Sequence, residues 1–257
     1  MSDVAPGAEA PGDVVAVVLA AGLGKRLRPL TLTTPKALVP VGGRPLLEWH
    51  LEALSKAGVS RVILVVGYLG DQIRSRIRDG ADFHVQVVYV QQHEQGGSGD
   101  ALRVAAPLVS ETRVLVLYAD TFFGAGSPLF QSLTAGPNAK MAAAEVPNAS
   151  VYGRLKTSVR GNHRYLVDIK EKDGQPTPGL INAGAYLLSR EIFPILDRTA
   201  RSPRGEIELT DAVVNFARQV EPVEVLTVPR WVDIGTPQQL EEAERIAAAS
   251  GPSADQP

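Results

Sequence analysis

An unbroken apolar run, Val14-Val15-Ala16-Val17-Val18-Leu19-Ala20, constrains the fold more than any other feature of the chain. A strand with one face in water alternates apolar and polar side chains. A strand without that alternation is covered on both faces, as in a parallel sheet sandwiched between helices. Residues 61–66 and 114–118 repeat the pattern, and 85–90 is a further strand candidate. The segments between them have helical character. Residues 45–56 begin at Pro45, place Leu47, Leu51 and Leu54 on one face and stop at Gly58, while residues 71–77 carry Ile73 and Ile77 four apart. A short helix is expected around 101–106. Alternating strands and helices predict an α/β domain of Rossmann-like, doubly wound type with a mixed, mainly parallel sheet.

Residues 140–146, 153–159, 165–170 and 180–188 have extended character, with helices at 191–196 and 210–219. Short strands at 223–228 and 231–234 and an amphipathic helix at 237–249 complete the pattern, and no tandem repeat is evident. At 257 residues, one large core is more effective than two small ones. A single domain over 14–249 is expected, between a flexible lead at 1–13 and a frayed tail at 250–257.

Composition narrows the chemistry. A formal charge of −2 leaves no general basic surface, so nucleic acid is not an expected partner and any anionic ligand must be held locally. With no cysteine, disulfides, thiolate metal sites and cysteine nucleophiles are excluded. No apolar run is long enough to span a bilayer and the lead lacks a signal pattern, which predicts a cytoplasmic protein without a membrane partner. The four histidines show no metal-ligand spacing.

Directly after the first strand, residues 21–28 carry glycines at 22 and 24 and end in charge. Such a turn lets the backbone approach a ligand closely. It is neither the G-x-x-x-x-G-K-[ST] phosphate loop nor a dinucleotide fingerprint, which needs a third glycine. A bare Gly-x-Gly also fits an ordinary turn rimmed by solvated cations. Pro35-Lys36 narrows the reading: exposed amides and the guanidinium fork of Arg26 suit phosphate oxygens, and Lys36 adds a compact charge where phosphate charge grows during transfer.

The stretch Leu19-Ala20-Ala21-Gly22-Leu23-Gly24-Lys25-Arg26-Leu27-Arg28-Pro29-Leu30-Thr31, followed by Pro35-Lys36-Ala37-Leu38-Val39-Pro40-Val41, resembles the signature of the sugar-1-phosphate nucleotidyltransferase family. That family takes in glucose-1-phosphate thymidylyltransferases, mannose-1-phosphate guanylyltransferases and the uridylyltransferase domain of N-acetylglucosamine-1-phosphate enzymes. The resemblance covers nearly all of residues 14–246 and implies a single nucleotidyltransferase domain. It implies nucleotide binding by Leu19, Ala20, Ala21, Gly22, Gly24, Lys25 and Arg26, with Arg26 and Lys36 catalytic through the triphosphate and the departing pyrophosphate.

Residues 92–101 resemble the family's nucleobase loop, Gln-x-x-Gln-x-Gly-Thr-x-x-Ala, matched at Gln92, Gln95, Gly97 and Ala101, with Ser98 in place of the threonine. A Gln amide offers one acceptor and one donor group, complementary to the N–H and carbonyl edge of uracil or thymine. UTP or dTTP is therefore favoured, with Gln92, Gly97 and Ser98 expected to bind the nucleotide. Rearranged backbone contacts can meet guanine, so a GTP-dependent mannose- or heptose-type guanylyltransferase remains an alternative. Asp120, just past the strand at 114–118, lies where open parallel sheets place their ligands. The resemblance pairs it with Asp233, in Trp231-Val232-Asp233-Ile234-Gly235-Thr236-Pro237, as ligands of a Mg²⁺ cofactor.

On the sugar side, Tyr152-Gly153-Arg154, Ile169-Lys170-Glu171-Lys172 and Asn182-Ala183-Gly184 resemble the family's Tyr-Gly, Ile-x-Glu-Lys and Asn-x-Gly elements. They imply sugar-phosphate binding by Gly153, Glu171, Lys172 and Asn182, with Lys172 as a third catalytic cation. Asp173-Gly174 stands where the family often has a proline after Glu-Lys. The implied reaction transfers a nucleotidyl group from an NTP to a sugar 1-phosphate, giving an NDP-sugar and pyrophosphate. A noncatalytic nucleotide-sugar sensor is the alternative of a different class; Lys36, Asp120, Lys172 and Asp233 together argue for transfer. No hexapeptide repeats follow, so a fused acyltransferase is not expected, and a homo-oligomer is left open.

Overall fold

The run at Val14–Ala20 forms the first strand, β1, with parallel neighbours on both sides. A computed structural model describes residues 13–124, 128–171 and 174–249; the lead at 1–12, Lys172 and the tail at 250–257 lie outside the described residues. After β1 come β2 (Pro40–Val41), β3 (Arg44–Pro45), α1 (Leu46–Lys56), β4 (Arg61–Val66), α2 (Gly70–Ile77) and β5 (Gln86–Gln91). Next are α3 (Ser98–Arg103), β6 (Arg113–Tyr118), β7 (Thr121–Phe122), α4 (Leu129–Thr134), β8 (Lys140–Val146), β9 (Gly153–Arg160) and β10 (His163–Glu171). The remainder is β11 (Gly179–Ser189), α5 (Ile192–Arg198), α6 (Leu209–Gln219), β12 (Glu224–Thr227), β13 (Val232–Asp233) and α7 (Pro237–Ala249).

Nine strands form one mixed sheet in the order β5-β4-β1-β6-β11-β8-β12-β10-β9. β5, β4, β1 and β6 are parallel, so their carboxyl ends share one edge. β11 turns the direction over, pairing antiparallel with β6 and β8, and β9 and β10 form an antiparallel hairpin beyond β12. The expected α/β architecture with a mixed sheet is what the chain adopts.

The unbroken apolar run of β1 has the predicted cause. Val15 and Val17 pack toward α3, α5 and α6, while Ala16 and Val18 pack toward α1, α2 and α4. A third cluster lies under α7, where Ala243 and Ala247 meet Leu46, Phe122, Val232 and Ile234. Among the described residues no helix is long and apolar enough to cross a membrane.

Two elements near the site depart from expectation. α3 starts at Ser98 rather than at Ala101, because Gly97 and Gly99 lie against Ile207, where an added Cβ would come within 2.6 Å and 2.7 Å of its atoms. β7 is too short to leave a pattern, and it forms only because β13 supplies its partner.

Phe122 is 2% exposed and meets Trp49 edge-on at 5.9 Å. Phe122→Ala is expected to lower stability by about 3–5 kcal/mol, seen as a fall in the urea midpoint at unchanged m-value. A loss below about 1 kcal/mol would place the α7 cluster outside the cooperative core.

Candidate active site

β1 ends in the middle of the parallel edge, and the chain turns there without covering it. Gly24 takes a left-handed backbone (φ 60°) ahead of a single 3₁₀ turn, Lys25–Leu27, whose Leu27 is buried. The Thr31 hydroxyl donates to the Gly24 carbonyl at 2.8 Å. A Cβ on Gly24 would fall 2.9 Å from Thr31 Cγ2 and 3.3 Å from Lys36 Cβ, so glycine lets the two cationic segments close on each other. At Gly22 an added Cβ would meet nothing within 4 Å, which leaves that stretch of backbone open to a ligand. Leu19 and Ala20 belong to β1, Ala21 is buried against Gly67, and Lys25 points into solvent.

The cationic segments reach two carboxylates. Lys36 Nζ lies 2.5 Å from Asp120 Oδ2 and 3.9 Å from Asp233 Oδ1, and Arg26 Nη2 lies 3.7 Å from Asp233 Oδ2. Asp120 and Asp233 are far apart in sequence but are joined through the backbone. β13 pairs antiparallel with β7, with Asp233 opposite Thr121, and the Ile234 N–H donates to the Asp120 carbonyl at 2.8 Å. Gly235 makes room for Arg26: a Cβ there would sit 2.6 Å from its Nη2. The side chains of Lys36 and Asp233 are 12% and 19% exposed, so their charges act in a partly desolvated cleft.

His50, on α1, supports β7 from behind. It hydrogen-bonds the Thr121 backbone and packs among Phe123 and Phe130. Burial pushes its imidazole down to about 4, against the opposing pull of that hydrogen bond and of the Asp120 charge, so the ring is neutral near pH 7.

The residues of the expected base loop are largely engaged with the protein. Gln92 is buried, and its Nε2 donates to the Gly97 carbonyl at 3.2 Å and to Asp100 Oδ2 at 2.9 Å. Gln95 Nε2 donates to the Ala21 carbonyl at 3.3 Å, which ties this loop to the glycine turn. The Ser98 hydroxyl accepts from the Leu209 N–H at 3.2 Å at the start of α6. Gly99 and Gly96 exchange backbone bonds with Ile207 at 2.8 Å and 2.7 Å, so a segment more than a hundred residues on clamps the loop.

Gly153 and Glu171 face each other across the β9–β10 hairpin, and a Cβ on Gly153 would lie 2.8 Å from Glu171 Oε1. Asn182 sits where the β11–β8 register shifts, its Oδ1 accepting from the Gly184 N–H at 3.0 Å. Gly184 also admits the Tyr118 ring, which would lie 2.8 Å from an added Cβ. Burial raises the Tyr118 hydroxyl to about 12. Arg154 holds the segment that follows Asp173 by donating to the Gln175, Thr177 and Pro178 carbonyls.

Two links join the sugar-side elements to Asp233. Trp231 Nε1 donates to the Ala183 carbonyl at 2.9 Å, and its ring meets Tyr152 edge-on at 5.3 Å. Gln239, in the first turn of α7, accepts from the Gly235 N–H at 3.0 Å and donates to the Tyr152 hydroxyl at 3.0 Å. Sequence reasoning gave no role to Gln239, Asp100 or Arg154. A signal for Gln239 was present, since Thr236-x-x-Gln239 is a capping box.

Arg26, Lys36, Asp120 and Asp233 therefore form one cluster, and Gly153 pairs with Glu171 beside the strand of Asn182. Two cavities of about 460 Å³ lie elsewhere, one between β12 and α4 and one beside Pro178, and neither contains a cluster residue. Among the described residues no three His, Cys, Asp or Glu side chains gather to hold a metal.

Comparison with known proteins bears on this arrangement. A family model described as nucleotidyl transferase matches residues 15–250. The chain is 31% identical over 234 residues to the low-salt glycan biosynthesis nucleotidyltransferase Agl11 of Haloferax volcanii, covering 90% of this chain and 65% of that protein. It is 32% identical over 236 residues to the UTP–glucose-1-phosphate uridylyltransferase AglF of the same organism, covering 90% of this chain and 95% of that one. A crystal structure of a candidate glucose-1-phosphate thymidylyltransferase from Bacillus anthracis, in complex with a sucrose, superposes with a TM-score of 0.81 at 25% identity. That match covers 93% of this chain and 97% of the other. The chain spans between about half and two thirds of the length of the first curated relatives it matches. With the glycine turn, Lys36 and the two paired aspartates in place, the chain belongs to the nucleotidyl transferase family.

Proposed function

We propose that this chain catalyses Mg²⁺-dependent transfer of a nucleotidyl group from an NTP, with UTP or dTTP favoured, to a sugar 1-phosphate. The observation that carries the reading is the convergence of Lys36 on both Asp120 and Asp233, with Arg26 alongside. A pure binding protein has no need of two carboxylates held around one lysine at the mouth of an anion loop. The relatives, a UTP–glucose-1-phosphate uridylyltransferase and two glucose-1-phosphate thymidylyltransferases among them, support the same class.

In the reaction, an oxygen of the sugar 1-phosphate forms a bond to the α-phosphorus of the NTP. The bond from that phosphorus to the α,β-bridging oxygen breaks, and its electron pair leaves with pyrophosphate. The acceptor phosphate is already an anion near neutral pH, so no proton need be removed. The open backbone at Gly22 and the Arg26 guanidinium hold the triphosphate, and Lys36 stabilises charge on the departing oxygens. Glu171 takes hydrogen bonds from the sugar hydroxyls, and Lys172 binds the acceptor phosphate. Gly153 and Asn182 shape the sugar subsite.

The donor set fits Mg²⁺, because that cation prefers oxygen ligands, keeps several waters and needs only one or two protein carboxylates beside substrate phosphates. Asp120 and Asp233 are two such groups, already gathered about a positive charge. Bound there, Mg²⁺ would supply charge neutralisation at the reacting phosphates.

Mixing the protein with UTP, glucose 1-phosphate and Mg²⁺ is expected to release pyrophosphate, and EDTA to stop it. Nucleotide binding without turnover across a panel of sugar phosphates would instead make the protein a sensor. Lys36→Ala is expected to cut kcat by at least about 100-fold while the melting temperature shifts little; near-wild-type turnover would remove Lys36 from catalysis. Lys172→Ala is expected to raise KM for the sugar 1-phosphate more than KM for the nucleotide, measured by varying each substrate in turn. Equal effects on the two constants would count against its assigned role.

A further inference from the structure

The sequence offers Gln92 as a side chain with both a donor and an acceptor for the base. The structure leaves it only one. Both neighbours of its Nε2, the Gly97 carbonyl at 3.2 Å and Asp100 Oδ2 at 2.9 Å, are acceptors, so the amide cannot be turned over without facing oxygen against oxygen. Two acceptors use both amide N–H groups. Gln92 Oε1 accepts no bond among the described residues and is not among the buried polar atoms without a partner, so it still reaches solvent.

Asp100 is itself held in place. It is 7% exposed, and Arg103 Nη2 donates to its Oδ1 at 2.7 Å, leaving Oδ2 for Gln92. A Cβ on Gly96 would lie 2.6 Å from the Asp100 carboxyl, so the loop passes over this group only as glycine. The Gln92 backbone N–H donates to the Val66 carbonyl at 2.8 Å, which fixes the residue at the carboxyl edge of β4, beside the glycine turn reached by Gln95.

We propose that Asp100 is a specificity-determining positioning residue: it fixes the polarity of the Gln92 amide, so that the base meets an acceptor and must bring a ring N–H. Uracil and thymine present N3–H, and guanine presents N1–H, at the middle of the pairing edge. Cytosine and adenine present a bare ring nitrogen there, which would leave two acceptors opposed in a desolvated site. The chain therefore takes uridine, thymidine or guanosine triphosphates and rejects CTP and ATP. This rests on the reading that the loop after β5 receives the nucleobase of an NTP.

The test is a panel of UTP, dTTP, GTP, CTP and ATP, read both by pyrophosphate release with glucose 1-phosphate and by binding of each nucleotide alone. The wild-type protein is expected to favour UTP over CTP by at least about tenfold in kcat/KM, with ATP rejected similarly. Asp100→Asn replaces the nearer acceptor by a group that can donate to Gln92 Oε1, leaving only the Gly97 carbonyl at 3.2 Å to hold the amide's polarity, so the UTP-to-CTP ratio should fall about tenfold. A general loosening of the loop would lower both rates and leave the ratio alone. Arg103→Gln keeps the carboxylate and should keep the ratio. Equal use or binding of CTP and UTP by the wild-type protein overturns the proposal without need of a variant, as does an unchanged ratio in a folded Asp100→Asn protein. Binding that discriminates UTP from CTP, with no product from glucose 1-phosphate or any other member of a panel of sugar 1-phosphates, supports the proposal and overturns the transfer reading instead.

Discussion

The pairing of β13 with β7 is the constraint on which the site depends. Two aspartates side by side repel each other, and no helix or hairpin brings residues 120 and 233 together by local geometry. A backbone ladder does it, with Asp233 opposite Thr121 and the Ile234 N–H on the Asp120 carbonyl. Backbone bonds do not weaken when the carboxylates change partners, so the two charges stay in place whether Lys36 or another cation lies between them. Lys36 lies close to both carboxylates and offsets part of that repulsion, and α7 packs against Phe122, Val232 and Ile234 of the ladder.

The parallel half of the sheet was legible in the sequence because its physics is local. An apolar run without alternation, a helical period, a glycine at a turn and a proline at a helix start each act over a few residues. Val14–Ala20, the strand at 61–66 and the helix at 237–249 appear as read. Spacing alone left Arg26, Lys36, Asp120 and Asp233 as separate residues, and only the family resemblance paired the two aspartates, since β7 is a strand of two residues that its partner creates. The base loop shows the same limit. Nothing near Gly97-Ser98-Gly99 announces that Ile207 lies against both glycines or that Ser98 serves the Leu209 N–H, because those partners come from the connection into α6.

The two halves of the sheet divide the work. Strands β5, β4, β1 and β6 end on one edge and contribute the glycine turn, the base loop and Asp120. The antiparallel half contributes Gly153, Glu171 and Asn182. β11 belongs to both, since it pairs with β6 on one side and β8 on the other. Trp231 and Gln239 cross the same boundary higher up, reaching from the Asp233 segment to Ala183 and Tyr152. A nucleotide held by one half and an acceptor held by the other would thus meet where Asp233 stands. Closeness of two reactants in fixed orientation is among the largest contributions a protein can make to a bimolecular transfer.

The charges at that meeting point also bear on how ligands enter. Arg26, Lys36, Asp120 and Asp233 sum to zero and pair among themselves, so the resting cluster attracts neither anions nor cations strongly. A triphosphate arriving alone would gain two cations but face two carboxylates at close range. Under the proposed function, a divalent cation accompanying the triphosphate would give the carboxylates a positive partner and leave Lys36 to phosphate oxygen. Neutrality at rest would then favour the complex over either component, with the short Lys36–Asp120 contact the interaction to be exchanged.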